Sequence, residues 1–162
     1  MKIELEIVKK IDINDEHRRV FAEILGKQGK VQGNLATKAD RCHLIAIAKM
    51  NNKPVAIGAI KQKTVSDFSP AKADLEEFNS QFSWEIGYLY TDPDYRGNGL
   101  AKRIVVSLLD IYGDDNLMAS TELEENPQMV SILEQNGFSV HGKSWASVIH
   151  GNKLGLFLKF KK

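Results

Sequence analysis

The stretch YLYTDPDYRGNGLAKRIVVSLL (88–109) carries the residues best placed to do chemistry, Arg96-Gly97-Asn98-Gly99, where an apolar run gives way to an amphipathic one. The first N–H groups of a helix have no intrahelical acceptor, and that end of the helix favours negative charge. Glycines let a ligand approach the main chain, so the amides of residues 97–102 can cradle a pyrophosphate. One such dipole contact is worth about 0.3–1 kcal/mol at a surface, so several amides must act together. Two other phosphate-binding designs fail. A dinucleotide fingerprint needs a third glycine where Lys102 stands, and an acidic residue ending the next strand. A Walker-type loop needs Gly-Lys-Ser/Thr after four variable residues, which the stretch lacks. A plain tight turn into a helix is the simplest alternative reading of Gly97 and Gly99.

The loop needs a strand before it and a helix after it, and both are legible. WEIGYLY (84–90) reads as a strand, while Leu100, Ile104, Val105, Leu108 and Tyr112 follow helical spacing. Upstream, IELEIVKK (3–10) alternates as a half-buried strand. Asn14 then caps a helix with Val20, Phe21, Ile24 and Leu25 inward, ended by Gly26 or Gly29. HLIAIAKM (43–50) and PVAIGAIKQ (54–62) form a hairpin across Asn51-Asn52-Lys53. Residues 63–82 interrupt the pattern, and SPAKADLEEF predicts a short helix with Ser69 as cap and Pro70 at its first position. LMAST (117–121) is a strand; Asn126-Pro127 opens a helix with Met129, Ile132 and Leu133 inward, stopped at Asn136-Gly137. Segments 138–148 and 153–160 finish the chain as paired strands around Gly151-Asn152. The order predicts a mixed α/β (α+β) sheet in one domain over residues 1–162.

Bulk properties agree. A chain of 162 residues, 43% hydrophobic and 27% charged, suits one globular domain. No apolar run is long enough to span a membrane, and MKIELEIVKK lacks the uninterrupted core of a signal peptide, so the expectation is a cytoplasmic protein. A net charge of +1 argues against nucleic acid as the main partner. The single cysteine, Cys42, excludes an intrachain disulfide and a multi-thiolate metal site, so no metal is expected; Cys42 reads as a small buried hydrophobe.

Arg96-Gly97-Asn98-Gly99-Leu100-Ala101 resembles the Arg/Gln-x-x-Gly-x-Gly/Ala signature of the GNAT superfamily of acyl-CoA N-acyltransferases. NPQMVSILEQNGF (126–138) is similar to that family's second block, an asparagine, a helix and Glu-x-x-Gly-Phe. The resemblance implies a GNAT fold with a mixed sheet of about seven strands flanked by helices. It implies that Leu89, Tyr90 and Thr91 meet the pantetheine arm of acetyl-CoA and that the amides from Gly97 to Lys102 hold its pyrophosphate. Asn126 matches an asparagine that contacts the cofactor, although a plain helix cap accounts for it equally.

The implied chemistry is transfer of an acetyl group from the thioester to a primary amine of a small molecule or protein. An amine of pKa about 10.4 is unprotonated in only about one part in a few thousand at neutral pH, so a base helps. The resemblance points to Glu85, eleven residues before Arg96, as that base; alternation would put it on the face of Gly87, Leu89 and Thr91. Glu122 is an alternative base; His141 and His150 are weaker candidates that read as ordinary surface histidines. Many relatives place an acidic tyrosine seven residues after the motif asparagine, where this chain has Leu133. Expelling an unprotonated thiolate at neutral pH costs only about 2 kcal/mol for a thiol pKa near 8.5, so that loss need not abolish turnover. Tyr88, Tyr90, Ser131 or a water could supply the proton instead, with Tyr88 named as the acid candidate. Leu133 supports the alternative of an acyl-CoA-binding sensor or regulatory domain without turnover. The acceptor site is expected from residues 26–40, 63–82 and 147–152, where Asp67, Asp74, Glu76 and Glu77 give an acidic tint that a solvated helix face would also explain. The C-terminal strands leave room for a homodimer.

Overall fold

Alternating and β-branched runs become seven strands in the computed structural model, which describes residues 2–162: β1 (Ile3–Lys9), β2 (Cys42–Met50), β3 (Lys53–Gln62), β4 (Trp84–Thr91), β5 (Leu117–Glu122), β6 (Ser139–Ala146) and β7 (Lys153–Lys159). The helices are α1 (Asp15–Gln28), α2 (Leu100–Tyr112) and α3 (Pro127–Gln135). Hydrogen-bonded neighbours run in the order β1-β2-β3-β4-β5-β7-β6, so the architecture is the expected mixed α/β sheet. β4 and β5 run parallel, with Glu85 opposite Met118. β7 pairs antiparallel with both β5 and β6, so the last strand of the chain lies inside the order rather than at its edge. No helix among the described residues is long and apolar enough to cross a membrane.

Two compact units divide the chain. The first takes residues through Lys61 together with Ile86–Gly113. Within it Asn14 caps α1, accepting from the His17 N–H at 2.9 Å while His17 Nδ1 accepts from the Asn14 N–H at 3.1 Å. Gly29, at φ 72°, ends the helix. Val20, Phe21, Ile24 and Leu25 pack with Ile45, Ile47, Ile57 and Ala59 of β2 and β3. Asn51 and Asn52, at φ 51° and 68°, make a two-residue hairpin turn, and Lys53 already belongs to β3. The opposite face of β3 meets α2. A Cβ on Gly58 would lie 2.5 Å from Ile104 Cγ2 and 2.7 Å from Leu89 Cδ2. Gly58→Val should therefore destabilise the protein by about 1–3 kcal/mol, read as a lower urea midpoint.

The second unit takes Gln62–Glu85 and Asp114–Lys162. Phe68, Ala73, Phe82, Met118, Trp145, Leu156 and Leu158 form its apolar cluster. The short helix expected over SPAKADLEEF does not form. Two 3-10 turns, Val65–Phe68 and Glu76–Gln81, flank a closed bend. In that bend Ala73 N–H donates to Asp67 O at 3.0 Å and Asp74 N–H to Ser69 O at 2.8 Å. Asp74 sits at φ 61°, which stops right-handed propagation, and a single turn is too short to recover the cost of helix nucleation. The bend also holds β6: Lys143 N–H donates to Ala73 O at 2.9 Å, beside the register shift between His141 and Trp145. In α3 the Asn126 side chain accepts from Met129 N–H at 3.3 Å, Ile132 and Leu133 are buried, and Met129 is only half-buried.

Candidate active site

Tyr88 interrupts β4 with a left-handed φ of 52°, costly for a residue with a side chain. Alternation does not pass unchanged through such a residue, so the shared face expected for Glu85, Leu89 and Thr91 is not maintained by period alone. The Tyr88 ring packs edge-on to Phe21 at 5.8 Å, and Lys61 Nζ lies 5.2 Å from its centroid. Tyr90 joins it against the α1 cluster. The Leu89 carbonyl accepts from Gln28 Nε2 at 3.2 Å, tying the end of α1 to the strand that leads into the loop.

Asp92 anchors the loop. Its N–H donates to Val55 O at 2.8 Å, and its carboxylate accepts from Asp94 N–H at 3.0 Å and Lys27 Nζ at 3.3 Å. The Asp94 amide, then Lys27, holds its carboxyl below the usual range. Beyond it Gly97 and Gly99 take φ of 85° and 72°, and a Cβ on either would meet no protein atom within 4 Å. Gly99 is the residue capping α2 and supplies no side-chain acceptor, while Asn98 turns its Nδ2 back to Tyr95 O at 2.8 Å. The space beside the two glycines is therefore open where the first turn of α2 begins, with Arg96, Lys102 and Arg103 exposed around it. That is the arrangement a pyrophosphate requires.

The carboxylates lie in the second unit. Glu85 is 6% exposed, and its Oε1 accepts from both Thr64 N–H and Thr64 Oγ1–H at 2.8 Å. Asp67, one of the acids attributed to a solvated helix face, is instead 4% exposed. Its Oδ1 accepts from Lys72 Nζ at 3.4 Å, and its buried Oδ2 has no hydrogen-bond partner. Burial first, and the charge of Glu85 second, push the Asp67 carboxyl up to about 6, against the pull of Lys72 and Ser120. The folded protein thus binds more protons than the unfolded chain between pH 4 and pH 6, so stability falls as pH rises through that window. Asp67→Asn should flatten this dependence and stabilise the protein at pH 7 by at most on the order of 3 kcal/mol, as denaturant titrations across pH would read.

Glu122 is buried, with Oε2 accepting from Asn152 Nδ2 at 3.3 Å and Oε1 from His150 Nε2 at 3.3 Å. His150 Nδ1 accepts from Asn152 N–H at 3.1 Å, so both ring nitrogens are engaged and the Nδ1 lone pair is already taken up by that amide. His141 Nδ1 contacts Ser139 O at 2.8 Å, and its ring meets Phe160 edge-on at 5.6 Å. Burial drives the Cys42 thiol up to about 12, which removes it as a nucleophile. Leu133 is 1% exposed, a packing residue. No cluster of metal-ligating side chains occurs among the described residues.

The sequence model of the acetyltransferase (GNAT) family matches residues 11–138, from the turn before α1 to Phe138. The chain belongs to the GNAT family. No curated protein sequence matches it. Solved structures share the fold at low identity. ElaA from Escherichia coli has a TM-score of 0.70 at 10% identity, covering 98% of this chain and 99% of that one. The NatC complex bound to Gag peptide and CoA has a TM-score of 0.70 at 18% identity, covering 100% of each. The ribosomal-protein-S18-alanine N-acetyltransferase from Escherichia coli has a TM-score of 0.65 at 14% identity, covering 96% and 93%.

GNAT membership makes acyl-CoA-dependent acyl transfer the general activity of this domain. Thr64 escaped the sequence reading of this GNAT chain, and Asp67 entered it only as one acid of a solvated face. No local signal marks either one, since Thr64 reaches Glu85 across 21 positions and Asp67 lies in an irregular bend.

Proposed function

We propose that the protein is an acetyl-CoA-dependent N-acetyltransferase acting on a primary amine of a small molecule or protein, by direct attack on the thioester in a ternary complex. The observation that carries this reading is the glycine loop, whose left-handed Gly97 and Gly99 leave open space at the start of α2. In this reading acetyl-CoA supplies the activated acyl group. The amides from Gly97 to Lys102 hold its pyrophosphate, Arg96 and Asn98 frame the loop, and the backbone of Leu89, Tyr90 and Thr91 meets the pantetheine arm. Asn126 adds a contact beside its capping role. Glu85 takes the amine proton, with its carboxylate fixed in direction by Thr64. Glu122 is the second choice because Asn152 and His150 already occupy its oxygens. Tyr88 is the acid candidate for the departing thiolate. The domain works as one unit over residues 1–162 in the cytoplasm, without a metal.

Calorimetric titration with acetyl-CoA and with free CoA tests the reading. Saturable one-site binding is expected, followed by thiol release when amines are screened. A folded protein that binds neither ligand would overturn it. The buried Leu133 favours a second reading, an acyl-CoA sensor, in which binding occurs and no amine releases thiol.

A further inference from the structure

Two adjacent residues tie the end of α1 to β4 and the turn after it. Lys27 Nζ donates to Asp92 Oδ2 at 3.3 Å, and Gln28 Nε2 donates to the Leu89 carbonyl at 3.2 Å. The ties differ in what they hold. Asp92 is a fixed point: it is buried, its N–H donates to Val55 O, and its carboxylate also accepts from the Asp94 N–H. Gln28 and Leu89 are both half-buried, and there a neutral side-chain amide holds a main-chain carbonyl next to Tyr88, whose φ of 52° departs from strand geometry. Gln28 is also the last residue of α1. Gly29, at φ 72°, then turns the chain into residues 29–38, where Val31 and Leu35 lie against the same apolar cluster as Tyr88 and Tyr90.

We propose that Gln28 is an internal stand-in for an amide of the cofactor: it caps the Leu89 carbonyl in the free protein and gives that carbonyl up when the pantetheine arm is bound. The inference rests on the reading in which the backbone of Leu89, Tyr90 and Thr91 meets that arm. A glutamine side chain ends in an amide and the arm carries amides, so both offer the same kind of N–H donor to one carbonyl. A carbonyl partly removed from water is costly to leave without a donor, and Gln28 satisfies it in the free protein. The exchange trades one neutral hydrogen bond for another, so Gln28 can leave and return readily. Lys27 stays on Asp92 as the pivot, which confines the movement to the last turn of α1 and the chain after it. Residues 29–38 belong to the region expected to receive the amine. Gln28 is thus a positioning residue through which the acceptor side senses whether the cofactor site is filled.

Nitrogen-15 NMR of the full chain, titrated with free CoA, reads the exchange without an acyl group or an acceptor. The Gln28 side-chain amide, assigned by its loss in Gln28→Ala, should move on saturation toward the signals of exposed glutamines. Its protons should then exchange with water about tenfold faster. Binding is read separately, from the backbone amides of residues 97–102. CoA that moves those amides and leaves the Gln28 amide in place would overturn the inference alone. A folded protein whose amides CoA does not move would overturn the cofactor reading and this inference together. Calorimetry supplies the second readout. Gln28→Ala removes the competing donor and should bind CoA about 2–10-fold tighter, a gain that a purely structural contact would not give. Equal or weaker binding by Gln28→Ala would reduce Gln28 to a brace. The amide signals of residues 29–38 should shift with CoA in the wild type and stay in place in Gln28→Ala; equal shifts in both would overturn the coupling.

Discussion

Gly99→Trp should weaken acetyl-CoA binding by at least about 100-fold while the protein remains folded. Gly99 stands at φ 72°, where a residue with a side chain pays roughly 1–2 kcal/mol in backbone strain. Space is not the obstacle, because an added Cβ meets no protein atom within 4 Å. The indole instead fills the open volume at the start of α2, where the proposed site holds the pyrophosphate. Losing several helix-end contacts of about 0.3–1 kcal/mol each, together with direct steric exclusion, accounts for the factor. For a domain of this size the strain lowers Tm by about 2–8 °C, which leaves a measurable folded sample. Gly99→Ala separates the causes, since it carries the strain without the bulk and should bind far better than the tryptophan variant. Calorimetry with acetyl-CoA decides; equal affinity in wild type and Gly99→Trp would remove the loop from the cofactor site.

Glu85→Gln should lower kcat by about 10²–10⁴ at neutral pH and leave the Kd for acetyl-CoA unchanged. Glutamine keeps an acceptor oxygen for the Thr64 N–H and hydroxyl, so the local hydrogen bonds survive and the negative charge is what disappears. The deficit should also shrink as pH rises. Below the amine pKa of about 10.4 each unit rise in pH gives tenfold more free amine, and a free amine needs no base. Steady-state rates from pH 7 to pH 9.5 would show the two curves converging. A kcat that Glu85→Gln leaves intact and Glu122→Gln abolishes would move the base to Glu122, on the same unit of the fold.

Both experiments address features of different origin. The loop was legible because its signal is local: Arg96-Gly97-Asn98-Gly99 lies within one turn of a helix start, and only glycine takes φ of 85° and 72° at little cost. The Asn14 and Asn126 caps and the α1 face of Val20, Phe21, Ile24 and Leu25 follow from equally short-range rules. Where local rules compete, the reading failed. Ser69-Pro70 is a sound helix start, yet burial of Phe68 and Ala73 and a left-handed Asp74 turned the segment into a bend.

By itself, then, the sequence determined the family, the seven strands, the three α-helices and the glycine loop between β4 and α2, because each depends on residues a few positions apart. Tertiary structure alone decided that β7 lies between β5 and β6, and that Tyr88 breaks the alternation of β4. It also decided that Asp67, Thr64 and Glu85 meet in a buried place. These outcomes depend on which distant segments share one desolvated volume. A carboxylate's chemistry follows from the donors and charges around it, and its neighbours along the chain do not specify them.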